Sequence, residues 1–206
     1  MSNIERRIFK TSDLRVADAA GKRTISGYAA VFDEKSDLLG GWFTEVIRPG
    51  AFTATLRTAD VRCLFNHDPN LVLGRNKAAT LTLREDSRGL FMECELPDTT
   101  LAKDLAESIR RKDVNQQSFA FRTVKDRWTY SDDYKEPAFR ELLEVELYDV
   151  SPVTYPAYQG TDVGVRSVEL GDESRLKAER SKFLDHVRLR NPDQDVWRRL
   201  EVAEMG

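Results

Sequence analysis

Three short stretches hold side chains that could do covalent chemistry. The first is Phe65-Asn66-His67-Asp68-Pro69. An apolar strand, Val61 to Asn66, would deliver His67 at its end, before Asp-Pro breaks the ladder. There one ring nitrogen can face solvent while the other is held by a hydrogen bond. The second is Gln116-Gln117-Ser118-Phe119-Ala120-Phe121. In a strand, Phe119 and Phe121 share one face and Ser118 and Ala120 the other. Aromatics entering a core would leave Ser118 on the opposite, accessible face, with the small Ala120 leaving room beside it. The third is Glu144-Val145-Glu146-Leu147-Tyr148-Asp149-Val150-Ser151-Pro152-Val153, in which Val145 and Leu147 take the core face and Glu144 and Glu146 the other. A hydroxyl, an imidazole to take its proton and a carboxylate to hold that imidazole in the accepting tautomer make up the machinery of acyl transfer. Glu144 could supply the carboxylate; Asp68 and Asp149 are rivals. Asp68 is disfavoured because consecutive side chains of an extended chain diverge. Ser118 does not sit in the Gly-x-Ser-x-Gly elbow of the α/β hydrolases. Taken singly, each stretch also has a bland reading: a turn histidine, a strand serine, solvated strand acids.

The elements that must position these groups are mostly short strands. Thr24 to Phe32, Trp42 to Ile47, Val61 to Asn66, Gln117 to Val124 and Glu141 to Val150 read as strands from their β-branched and aromatic content. Thr80 to Arg84 and Gly89 to Leu96 alternate around a polar turn and read as a hairpin. Arg48-Pro49-Gly50 is a turn, and Ala51 to Leu56 reads as one or two helical turns. Asp98 to Arg111 is the clearest helix, capped by Asp98 or Thr99, with Leu101, Leu105 and Ile109 on one face. The polar stretch Lys125 to Pro137 reads as an exposed, mobile hairpin tip.

The chain has 206 residues, 40% hydrophobic and 33% charged, enough for a core and a solvated surface. Its 32 Lys and Arg stand against 35 Asp and Glu, a net charge of −3 that gives no electrostatic footprint for nucleic acid. No apolar run approaches the roughly 20 residues that span a bilayer, so no membrane partner is expected. The N-terminal stretch does not read as a secretory signal. The two cysteines, Cys63 and Cys94, read as strand thiols, and they and the two histidines, His67 and His186, lack metal-ligand spacing, so no metal or other cofactor is expected. Composition shifts after about Arg166. Residues 172–204 are charged, with Leu176, Phe183, Leu184, Val187, Trp197 and Leu200 sparsely placed and Asn191-Pro192-Asp193 dividing two helical segments. The domain reading is therefore 1–170 for the folded unit and 171–206 for a charged helical tail.

The order of the motifs is more specific than any one of them. Gly27-Tyr28-Ala29-Ala30-Val31-Phe32, Glu45-Val46-Ile47-Arg48-Pro49-Gly50-Ala51-Phe52, Asn66-His67-Asp68, Leu73-Gly74-Arg75, Gln117-Ser118-Phe119-Ala120-Phe121 and Asp149-Val150-Ser151-Pro152-Val153-Thr154-Tyr155-Pro156-Ala157-Tyr158 follow one another as in the prohead (capsid maturation) proteases of tailed bacteriophages. The chain resembles that family from about residue 24 to Arg166, and the family is similar to assemblin, the herpesvirus capsid-maturation protease.

The resemblance implies an α+β fold: a herpesvirus-protease-like β-barrel core with flanking helices and a helical C-terminal tail. It implies a serine endopeptidase with Ser118 as nucleophile and His67 as base. Assemblin's third member is a second histidine opening a His-Val-x-Leu strand; Glu144-Val145-Glu146-Leu147 fits that strand, with Glu144 in the histidine's place. The oxyanion hole has no counterpart here, since no Arg-rich loop follows Val150. The implied substrates are the scaffold protein or the scaffolding segment of the major capsid protein, and the enzyme itself, inside the procapsid in the bacterial host cytoplasm, of a phage or a prophage. A homo-oligomer is compatible with this. The rival reading, a non-catalytic capsid assembly or scaffold protein of the same fold, expects Ser118 and His67 out of hydrogen-bond reach.

Overall fold

The computed structural model describes residues 4–9, 13–133, 135–154 and 173–190. Strands β1 (Glu5–Phe9), β2 (Arg15–Ala19), β3 (Lys22–Val31) and β4 (Phe43–Ile47) come first. Helix α1 (Thr53–Thr58) leads to β5 (Arg62–Phe65), β6 (Asp68–Arg75), β7 (Leu81–Glu85) and β8 (Gly89–Glu95). Helix α2 (Thr100–Arg110), β9 (Gln116–Thr129), β10 (Ala138–Val153) and helix α3 (Glu173–Arg190) complete the described chain.

These strands form a six-stranded sheet, β1-β9-β10-β5-β6 with β4 also on β10, and a four-stranded sheet, β2-β3-β8-β7. The barrel-like core that the resemblance implies is not closed among the described residues; the α+β class holds, as sheets with few helices. β10 organises the larger sheet. It pairs with β9 antiparallel along its length, with β4 in parallel from Ala138 to Leu142, and with β5 in parallel at Asp149 and Val150.

The core lies where apolar faces of both sheets meet. Phe119, Phe121, Val145, Leu147 and Val150 of the larger sheet join Ile25, Leu90, Met92 and Cys94 of the smaller one, closed by Ala102, Leu105, Ala106 and Ile109 of α2. Each large apolar side chain buried here contributes roughly 1.5–3 kcal/mol. The edge of Phe52 meets the Phe119 ring at 5.4 Å, and Phe119 stacks on Phe121 at 4.8 Å. The sheets approach closely at Gly74 of β6, where any Cβ would lie 2.5 Å from the Cys94 sulfur. Helix α2 starts where the cap residue predicts: the Thr99 side chain accepts from the Ala102 N–H.

One expectation is corrected. Lys125 to Pro137 is not all hairpin tip, because β9 runs on to Thr129 and the following strand begins at Ala138. The residues that looked merely polar alternate in function: Asp126 faces Arg140, and Trp128 stacks on Trp42 at 5.1 Å. The sparse apolar positions of α3 pack against the sheet. Leu176, Phe183 and Val187 are buried in a second small core with Leu39, Phe43 and Ala138, against Trp42, Trp128 and Tyr130. The second helical segment expected after Asn191 lies outside the described residues.

Candidate active site

His67 is delivered by a turn rather than by a strand end. Phe65 pairs with Asp68, so Asn66 and His67 form the two-residue loop of the β5–β6 hairpin. Both have left-handed φ, 54° and 57°, as the twist-compatible hairpin turn requires. Asn tolerates this region well; a histidine there carries strain, which persists only where the surroundings hold it. Asp68-Pro69, expected to break the ladder, opens β6 instead. Asn66 pins the turn to the end of β10: its N–H donates to the Pro152 carbonyl at 3.0 Å, and its Oδ1 accepts from the Thr154 N–H at 3.0 Å.

Ser118 stands on β9, and the alternation expected of it holds, with Phe119 and Phe121 in the core. Its Oγ lies 2.6 Å from His67 Nε2. On the other side of the ring, His67 Nδ1 lies 2.6 Å from Asp149 Oδ1. The carboxylate at the imidazole is therefore Asp149, not Glu144. Glu144 pairs with Lys125 in the ladder, and no hydrogen bond joins it to His67. Asp68 accepts from the N–H and side-chain amide of Asn70 and closes its own turn.

A β-bulge explains the correction. Strict alternation from Val145 and Leu147 would send Asp149 into the core. The register slips between Leu147, opposite Phe121, and Asp149, opposite Ala120. The extra residue resets the parity. Beyond it Val150 faces Phe119 and the core, while Asp149 and Ser151 join the face that carries Ser118. Ser151 is directly opposite Ser118, and its Oγ donates to Asp149 Oδ1 at 2.7 Å. Sequence reasoning missed Ser151; an Asp-x-Ser pair on one strand face was the available signal.

Ser118 was expected to be accessible, yet it has no exposed surface. Strand β1 lies along β9, with Ile8 opposite Ser118, and the Ser118 hydroxyl donates to the Arg7 carbonyl at 2.9 Å. That hydroxyl has one hydrogen and two acceptors in reach. Pointed at Arg7, it leaves the bond to Nε2 to be donated by the ring; pointed at His67, it is ready to transfer.

Strand β1 is fastened by buried charge. Arg140, 1% exposed, bonds Glu5 at 2.7 Å, Glu45 at 2.9 Å, Asp126 at 2.8 Å and Thr123 at 2.7 Å. Arg7 bonds Glu45 and Glu5, each at 2.8 Å. Burial works against the Arg140 charge, but Glu45, Glu5 and Asp126 outweigh it and hold the guanidinium protonated. Burial likewise opposes the Glu5 charge, while Arg7 and Arg140 draw its carboxyl below the usual range. Burial pushes the Cys63 thiol well up, which keeps this neighbour of Asp149 un-ionised.

No curated protein matches the chain in sequence. Among solved structures, the capsid assembly protease of bacteriophage T4 is similar at 11% identity and a TM-score of 0.46, over 73% of this chain and 99% of that one. The sequence model of the caudovirus prohead serine proteases matches residues 10–174, most of the chain and all of the elements that carry Ser118, His67 and Asp149. The chain thus belongs to the caudovirus prohead serine protease family.

Proposed function

We propose that this chain is a serine endopeptidase of capsid maturation, with Ser118 as nucleophile, His67 as general base and Asp149 as the carboxylate that orients and stabilises the imidazole. The observation that carries the proposal is the unbroken line of contacts from Ser118 Oγ to His67 Nε2 and from His67 Nδ1 to Asp149 Oδ1, each 2.6 Å. The non-catalytic reading expects Ser118 and His67 out of reach, so this line favours catalysis.

The reaction follows from the geometry. His67 Nε2 takes the Ser118 proton as Oγ attacks a peptide carbonyl carbon. Asp149 holds the Nδ1 hydrogen and offsets the imidazolium charge. The tetrahedral intermediate collapses as His67 returns the proton to the leaving amine, and an acyl-enzyme remains. Water, deprotonated by the same imidazole, releases the acid. The substrates within the procapsid are the scaffold protein or the scaffolding segment of the major capsid protein, and the enzyme itself, with loss of the tail 171–206. Family membership supports this choice. Because Ser118 is buried beneath the Arg7 carbonyl, the described state is a closed one that must open before a substrate carbonyl can reach Oγ.

A fluorophosphonate probe, which phosphonylates activated serines with loss of fluoride irrespective of substrate sequence, tests the assignment. Wild-type protein should take one adduct, mapped to Ser118, and Ser118→Ala should take none. A folded wild-type protein that is never labelled, or a Ser118→Ala variant labelled at the wild-type rate, would overturn the proposal.

A further inference from the structure

We infer that Ser151 is a positioning residue for the reaction, the fourth member of a ring that three side-chain contacts form and the β9–β10 ladder closes. The inference rests on the catalytic reading of Ser118, His67 and Asp149 above. The ring runs from Ser118 on β9 to His67 on the β5–β6 turn, to Asp149 on β10, to Ser151 two places further along β10, and back across the ladder to Ser118.

Three observations carry it. The Ser151 hydroxyl bonds Asp149 Oδ1, the same oxygen that meets His67 Nδ1, and not the other oxygen of the carboxylate. A carboxylate hinged on Cβ–Cγ can rotate; two donors converging on one oxygen hold that oxygen against Nδ1. Ser151 also has no exposed surface, so its hydroxyl needs a partner within the protein, and Asp149 is the acceptor that it has. Lastly, Ser151 reaches this face only through the bulge that brings Asp149 there, so one irregularity of β10 sets both groups.

Ser151 is not a second nucleophile. Its oxygen is bonded to the carboxylate, whereas the imidazole nitrogen that accepts a proton is beside Ser118. Its effect is indirect. By sharing the charge of Oδ1, it limits how strongly Asp149 favours the imidazolium over the imidazole, and by fixing that oxygen it keeps Nε2 aimed at Ser118. Removing the hydroxyl has two consequences with opposite readouts. Acylation slows, because the imidazole is less well aimed. The acid limb of the pH–rate profile moves to higher pH, because a carboxylate with one donor fewer stabilises a charged imidazole more strongly. The titratable and charged groups around Asp149 are His67 from the β5–β6 turn and Cys63 and Arg62 from β5. Arg62 is engaged with Asp60, and the Cys63 thiol is held neutral by burial, so neither accounts for such a shift.

The test uses the full chain and the rate of fluorophosphonate labelling against pH, with the thermal midpoint measured beside it. Ser151→Ala should be phosphonylated about tenfold more slowly, the loss of roughly one charge-assisted hydrogen bond. Its acid limb should move to higher pH, and its thermal midpoint should stay close to that of the wild type. Ser151→Thr, which keeps the hydroxyl, should recover most of the rate and the wild-type limb. Wild-type rate and limb in folded Ser151→Ala would overturn the inference. So would a Ser151→Ala variant whose lower rate follows only a lower folded fraction, with the limb unmoved. An adduct mapped to Ser151 in the wild type would overturn it as well. Absence of any adduct on folded wild type overturns the catalytic reading itself, a separate outcome.

Discussion

Asp149 meets His67 at 2.6 Å across 82 residues of chain. Nothing local brings them together. The parallel pairing of β5 with β10 at Asp149 and Val150 sets the turn above the bulge, and the two hydrogen bonds from Asn66 to the end of β10 hold it there.

The first prediction compares the two carboxylates. Asp149→Asn should lower the acylation rate of Ser118 by several powers of ten, on the order of 10⁴, because an amide at this position holds the wrong imidazole tautomer. Glu144→Gln should leave the rate within about threefold of wild type, since Glu144 lies opposite Lys125 in the ladder and makes no hydrogen bond to the ring. Equal losses in the two variants would show that the imidazole is oriented by something other than Asp149.

Arg140 provides a stability test. Arg140→Met removes the shared partner of Glu5, Glu45 and Asp126, all on side chains with almost no exposure. Breaking a buried ion pair from one side costs about 3–5 kcal/mol, roughly 6–20 °C in a domain of this size. Differential scanning calorimetry reads this directly, and a midpoint unchanged within 2 °C or so would contradict the stated role of the cluster.

A third expectation concerns acid. Arg127, and then Arg48, hold the Glu141 carboxyl at about 2, against an ordinary value of 4.5, despite the opposing effect of burial. A depressed folded-state value means stability that is fully present above pH 4.5 and is lost as pH falls toward 2. Glu141→Gln should therefore show a shallower loss of stability than wild type between those values, measured by urea unfolding at a series of pH. Parallel curves would assign the acid transition to other groups.

The tail supplies the fourth. Intact mass under denaturing conditions should reveal loss of residues from the C-terminal end in wild type and not in Ser118→Ala. A chain ended at residue 172 should still be acylated at Ser118, because no ring member lies on α3, but should melt lower. Trp42 would lose the Phe183 ring, 6.2 Å away, and Trp128 and Tyr130 the cover of Leu176, Phe183 and Val187. Full-length mass in a preparation that digests scaffold protein would rule out self-cleavage.

The sequence carries the site unevenly. The burial of Phe119 and Phe121 and the placement of Ser118 on the opposite face follow from alternation, since β9 is regular through that stretch, whereas the burial of Ser118 under β1 does not. Asp149 and Ser151 do not, because a single bulged residue inverts every later assignment on the strand, and no residue near Tyr148 marks it. The sequence places Asn66 in the strand and His67 at its end; the two-residue turn that they form instead depends on left-handed φ at both, which Asn favours but does not dictate. Strand β1 was hidden for a different reason: Glu-Arg-Arg looks like surface, and only the inward-facing Arg140 and Glu45, far along the chain, make a buried place for it.

Arg140 also decides what a cut in the chain can accomplish. Glu5 comes from the first strand, and Asp126, which grips the same guanidinium, is in turn held by Arg175 of the last helix. The two ends of the described chain are thereby clasped to one interior charge. Severing the backbone ahead of α3 would not by itself free that helix; the nicked protein would carry it as a bound fragment until the Arg175–Asp126 bridge and the apolar contacts of Phe183 gave way. Scission and departure are then distinct events, with distinct rates, and a sizing column in mild buffer would report an intact particle for a molecule that denaturant resolves into two pieces.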